Sequence, residues 1–132
     1  MIKIPSRKLK SAGLSRQKIS YLKNIAKAFK NKSFDVRKLK KMNDDEAINY
    51  ITKLKGLGVW SSQMLMIFNL NRPDVFPVKD IGLLRAISKN YRKTSYPPSK
   101  KFLEKISKLH AGYRSVFTWY MWRSIDPTDV KY

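Results

Sequence analysis

Apolar residues recur at every third or fourth position along most of this 132-residue chain, and strand-like alternation is absent. After Ser15, a residue type suited to capping a helix, Ile19, Leu22, Ile25, Ala26 and Phe29 share one stripe, which predicts a helix that stops near Asn31. A short helical turn is expected from Val36 to Met42. Asn43 or Asp44 then caps a helix whose stripe is Ala47, Ile48, Ile51 and Leu54, with acids in its first turn as the helix dipole favours. Residues 59 to 70 are apolar almost all round, which predicts a helix buried on most sides. NRPDVFP, residues 71 to 77, reads as a proline-bounded loop. The next helix turns Ile81, Leu84, Ile87 and Tyr91 inward, and Pro97 and Pro98 open another that carries Phe102, Ile106 and Leu109. The last, from Tyr113 to about Ile125, puts Val116, Phe117, Tyr120 and Met121 on one face, leaving Trp119 and Trp122 off the stripe. Together these segments predict an all-α fold, a compact bundle of six or seven short helices forming a single domain over residues 1 to 132.

Charge narrows the partners. Lysine and arginine total 29 against 9 acids, for a formal net charge of +20, and such a surface seeks polyanions. Between Lys3 and Lys41 there are 14 basic residues and one acid, Asp35. Nucleic acid is the expected partner ahead of a membrane surface or an acidic protein. No apolar run is long enough to cross a bilayer and the start MIKIPSRKLK lacks a secretory signal, so a cytoplasmic location is expected. The absence of cysteine excludes disulfides, thiolate metal sites and cysteine nucleophiles. His110 is the single histidine and reads as a helix-end residue, while Asp44, Asp45 and Glu46 read as a first-turn acid cluster. No side-chain metal site is therefore expected.

LKGLGVWSSQM, residues 54 to 64, breaks the helical pattern with two glycines. Helix, tight turn, helix is the natural reading of residues 44 to 70, because Gly56 and Gly58 can take positive φ without a Cβ penalty. Amides at the start of the second helix, with no side chain in the way, would make a phosphate seat. An ordinary capping glycine between two helices accounts for the same pattern.

These residues resemble the hairpin of the helix-hairpin-helix-GPD superfamily of DNA base-excision glycosylases, and VFPVKDIGLLRA resembles the loop and helix that carry its catalytic aspartate. The 22 residues from Gly58 to Asp80 fit the family pattern. AGLSRQKISYLKNIAKAF, RPDVFPVKD and YRSVFTWYMWRS are similar to segments of its alkyl-base branch, DNA-3-methyladenine glycosylase II, in the same order. The resemblance covers residues 5 to about 126 and implies excision of alkylated bases from double-stranded DNA. It assigns the catalytic carboxylate to Asp80, which read alone is a helix N-cap; one residue can do both. Where backbone-cleaving members carry a Schiff-base lysine this chain has Trp60, which implies a monofunctional enzyme using water. Trp60 and Trp122 match aromatic positions of the base pocket, and Met64 and Ile81 fall where some members carry further aromatics; core filling is the simpler reading of either tryptophan and the preferred one for Trp119. Gly56, Gly58 and the amides from Val59 are implied to bind DNA phosphate, with Lys55 and Lys79 beside them. A monovalent cation at hairpin carbonyls is implied as well, with no other cofactor. Arg114 resembles a recurring Arg-Ser pair, and a structural ion pair explains it equally well.

Family members carry further helices before the segment matching Ile4, including the residue wedged into the duplex. Exposed apolar surface is therefore expected here, covered by self-association or by a second chain supplying those helices. The rival to a glycosylase is a non-catalytic helix-hairpin-helix DNA-binding module, or one half of a split enzyme.

Overall fold

A computed structural model describes residues 3–91 and 95–126, and among these there are helices and no strands. The helices are α1 (Ser6–Ser11), α2 (Arg16–Lys30), a 3-10 turn (Val36–Lys41), α3 (Asp44–Thr52), α4 (Val59–Phe68), α5 (Ile81–Asn90), α6 (Lys100–Leu109) and α7 (Arg114–Arg123). None is long and apolar enough to cross a membrane. The chain divides into two compact units, one ending at Ser62 and the other beginning at Gln63.

Local chemistry sets most helix starts in the first unit. The Ser15 hydroxyl accepts the Lys18 amide, and α2 then runs to Lys30 with Asn31 as its C-cap. Asn43 opens α3 with a reciprocal box, its side chain accepting the Glu46 amide while the Glu46 carboxylate accepts the Asn43 amide. α1, which the hydrophobic pattern did not signal, packs against α2, where Lys23 Nζ donates to Ser6 Oγ at 2.8 Å. Leu9, Ile19, Leu39, Ala47 and Ile51 are buried. Phe34 stacks on Tyr50 at 4.8 Å between ring centroids, and the Tyr50 hydroxyl accepts the Asp35 amide.

In the second unit α5 packs on α7, and Phe76, Leu83, Ile87, Ile106 and Phe117 form the core, with Tyr91, Phe102, Leu103 and Met121 against it. Ser99 caps α6 by accepting the Phe102 amide, and His110 ends that helix and stacks on Phe117. His110 is thus a helix-end residue, as its sequence context suggested.

Four helices turn residues differently from the hydrophobic pattern. α4 buries Ser62 and Met66 while Val59, Trp60 and Phe68 are exposed, so it is not the enclosed helix that its composition predicts. On α7 the inward side is Ser115, Phe117 and Thr118, whereas Val116 and Tyr120 are exposed. Hydroxyls explain the rotation: Ser115 Oγ donates to the Arg72 carbonyl and accepts the Val75 amide, which draws a polar residue inward that a count of apolar positions cannot see. Trp119 lies on the exposed side of α7, which removes the core-filler reading for it. Ile81 and Leu109 are also exposed, despite their place in the predicted stripes.

Candidate active site

Two groups of candidate residues occur, one in each unit. In the first unit the hairpin follows α3, where the Leu54 amide bonds back to the Ile51 carbonyl and the Leu57 amide to the Leu54 carbonyl, each at 3.0 Å. Only the first of the two glycines needs its conformational freedom. Gly56 sits at φ +110°, and a Cβ there would collide with the Cβ and Cγ atoms of Tyr21. Tyr21 is itself held on α2 by a 2.6 Å hydrogen bond from Gln17 Nε2 to its hydroxyl. Gly58 does not lie in the left-handed region and faces open space, with nothing within 4 Å of where its Cβ would be. The carbonyl of Gly58 starts α4 by accepting the Ser62 amide at 3.0 Å and the Ser62 hydroxyl at 2.9 Å. Lys55 and Val59 flank the turn on the surface, and Trp60 on the first turn of α4 is 49% exposed.

The carboxylate lies in the second unit. Val75, Phe76 and Pro77 are buried, and the Asp80 amide closes the loop onto the Pro77 carbonyl at 2.8 Å. Asp80 caps α5: its Oδ1 accepts the Leu83 amide at 2.7 Å and the Trp122 Nε1–H at 2.8 Å. Both donors fix the carboxylate's orientation, and 9% of the residue's surface remains exposed. Trp122 in turn stacks on Phe68, with centroids 5.7 Å apart and rings 14° from parallel. Ile81, 59% exposed, follows Asp80 on α5; Lys79 precedes it on the surface, and Met64 is half-buried on α4.

Two residues at this centre went unnoticed in the sequence. A Cβ on Gly82 would come within 3.1 Å of Asp80 Oδ1 and 3.3 Å of Trp122 Nε1, so glycine there leaves room for the indole to reach the carboxylate. A glycine in the first turn of a helix, where propensity disfavours it, was the available signal. Phe68 was hidden in an apolar run expected to be interior.

Behind the loop, Arg114 holds Asp74 through two bonds of 2.6 Å, Nε to Oδ1 and an Nη to Oδ2, and Arg114 also donates to Ser107 Oγ. Of its two readings, Arg114 thus makes the structural ion pair, and Ser115 beside it ties down the same loop. The Arg114 guanidinium, then the amides of Arg114 and Gly112, lower the Asp74 pKa from its usual 3.8 to about 2, against a smaller opposing cost of burial. A carboxylate depressed on folding stabilises the native state at neutral pH, and that contribution disappears as pH falls from about 4 toward 2. Because the pair is partly solvent-exposed, its loss should cost about 1 kcal/mol. Acid titration followed by circular dichroism should show Asp74→Asn flattening the stability curve between pH 4 and 2 relative to the parent; parallel curves would remove this role. Among the described residues, no group of three or more His, Cys, Asp or Glu side chains is arranged to hold a metal ion.

The family model for base excision DNA repair proteins of the HhH-GPD type matches residues 1–111. The chain belongs to the HhH-GPD superfamily. The DNA-3-methyladenine glycosylase 1 of Schizosaccharomyces pombe is 32% identical over 122 residues, covering 92% of this chain and 53% of that protein. The DNA-3-methyladenine glycosylase of Saccharomyces cerevisiae is 35% identical, over 84% of this chain and 47% of its own length. Among solved structures, the S. pombe 3-methyladenine DNA glycosylase in complex with abasic DNA superposes with a TM-score of 0.84 at 29% identity, covering 99% of this chain and 64% of the other. The DNA-3-methyladenine glycosidase of Bacillus halodurans gives 0.78 at 30% identity, covering 92% and 56%. The chain thus spans about half the length of the curated relatives it matches.

Proposed function

We propose that this chain carries the DNA-binding hairpin and the catalytic carboxylate of a monofunctional DNA glycosylase, which hydrolyses the N-glycosidic bond of alkylated, 3-methyladenine-type bases in double-stranded DNA. The observation carrying this reading is a carboxylate held by two donors, Leu83 N–H and Trp122 Nε1–H, on a rigid helix end in a chain of this superfamily. Cleavage builds positive charge on the sugar as the base departs, and a pre-oriented carboxylate stabilises that charge and directs the attacking water without reorganising. Extrusion of the nucleotide must come first. A base made cationic by alkylation is attracted to electron-rich indole faces, which is the role proposed for Trp122 and, in the other unit, for Trp60; Met64 and Ile81 are further candidates for contact with the base. Trp60 offers no amine for a Schiff base, so water is the nucleophile.

The hairpin grips the strand. Open space at Gly58 supports close approach of a phosphate to the amides at the start of α4, and Lys55 supplies charge beside it; Lys79, in the second unit, is a further candidate for a backbone contact. A monovalent cation at the hairpin would neutralise the same phosphate; the Gly58 carbonyl already accepts two hydrogen bonds, so the carbonyls from Lys55 to Leu57 are its proposed ligands. Exposed Val116, Trp119 and Tyr120 on α7 support association with a second copy or with a chain supplying further helices.

The test is incubation with methylated DNA. Release of free 3-methyladenine or 7-methylguanine, with no protein–DNA adduct trapped by borohydride, is the expected outcome. Salt-sensitive binding without release would instead make the chain a non-catalytic DNA-binding module or one half of a split enzyme, and a trapped adduct would overturn the use of water.

A further inference from the structure

Residues 3 to 34 hold no acidic side chain, although lysine and arginine recur throughout them. Much of that charge is gathered where α1 meets α2. A hollow of about 420 Å³ opens there, lined by Ser6, Arg7, Lys10, Arg16 and Ile19. Lys23 reaches the rim and donates to the Ser6 hydroxyl rather than to a carboxylate. Folding has therefore brought Arg7 and Lys10 from one helix beside Arg16 and Lys23 from the next, with Ile19 buried as the floor.

Like charges gathered without a counter-charge repel one another, and a polyanion relieves that repulsion. The hairpin does not use this face. Tyr21 packs under Gly56, and Ile19, two residues earlier, lies about 200° round the helix from it. The hollow and the glycine turn thus address opposite sides of α2.

We infer that the α1–α2 hollow is a second binding site for phosphodiester backbone, independent of the hairpin, through which the protein holds nucleic acid whether or not a lesion is present. Two adjacent phosphates suit its chemistry: arginine forks from Arg7 and Arg16 can each take a phosphate in bidentate fashion, and Lys10 adds a point charge between them. The site reads no sequence, because the contacts assigned to it are to backbone phosphates and not to base edges. Its effect is to raise residence on undamaged DNA. This inference rests on the DNA-binding reading given above.

The test compares the full chain with the triple variant Arg7→Gln, Lys10→Gln, Arg16→Gln on an undamaged 20-base-pair duplex across a salt series. Each phosphate contact contributes about 0.9 to the slope of log K against log salt, so loss of the pair should reduce the slope by roughly 2. Affinity at low salt should fall by at least about tenfold, while thermal unfolding stays unchanged. Gly58→Glu, which places a carboxylate in the open space at the hairpin, should weaken binding by a separate factor, multiplicative with the first. An unchanged slope in the triple variant overturns the site. So does a variant that loses binding to phosphatidylserine vesicles while keeping its DNA slope. If the parent chain binds no duplex, the DNA reading itself fails; if it binds and only the triple variant behaves like the parent, the hollow alone is wrong.

Discussion

Asp80→Asn is expected to reduce base release by about three orders of magnitude or more while leaving the fold intact. Asparagine ranks with aspartate as a helix cap, and its amide oxygen can accept the two bonds that Oδ1 now takes from Leu83 and Trp122. What disappears is the negative charge, which is what a cationic sugar requires. Asp80→Ala should behave differently, losing release and also about 1 kcal/mol of stability, because the Leu83 amide is left without its cap. Measuring release rates and thermal unfolding on both variants separates chemistry from architecture. An asparagine variant that retains more than a tenth of parental release would show that Asp80 is a cap and nothing more.

Gly56→Ala should destabilise the chain by about 3 kcal/mol, roughly 10 °C in melting temperature. A side chain at φ +110° is strained, and the new methyl would drive into the inner atoms of Tyr21, which lie too close to the α2 backbone to swing aside. Gly58→Ala meets neither obstacle and should melt within about 0.5 kcal/mol of the parent, so any loss it causes in DNA binding belongs to the contact surface. Equal melting temperatures for the two alanine variants would contradict this division between a glycine needed by the fold and a glycine needed by the ligand.

Much of this architecture was legible in the chain because its signals are local. Ser15, Asn43 and Asp80 cap helices where their side-chain chemistry says they should, and the stop at Asn31 follows from the end of the apolar stripe. Asp80 and Trp122 were both legible as candidates, but the hydrogen bond joining them was not, since it spans 42 residues and depends on how α5 and α7 pack. Rotation of α7 was lost for a similar reason. Ser115 turns inward to satisfy two backbone groups of a distant loop, and no periodicity of apolar residues reports that demand. α4 was misjudged because its composition is apolar on sides the fold leaves open at Trp60 and Phe68. Gly82 shows the limit most plainly: its value is a missing Cβ beside a contact made by two other residues.

Because one oxygen of Asp80 secures the start of α5 and asparagine can do the same, a change to asparagine at this position should leave folding intact. Under the proposed function, a single aspartate-to-asparagine change would leave a well-folded protein that still binds damaged sites and releases the base far more slowly. Such a variant would shield lesions from other repair enzymes, and cells carrying it alongside the parent should be more sensitive to methylating agents than cells with half the gene dose.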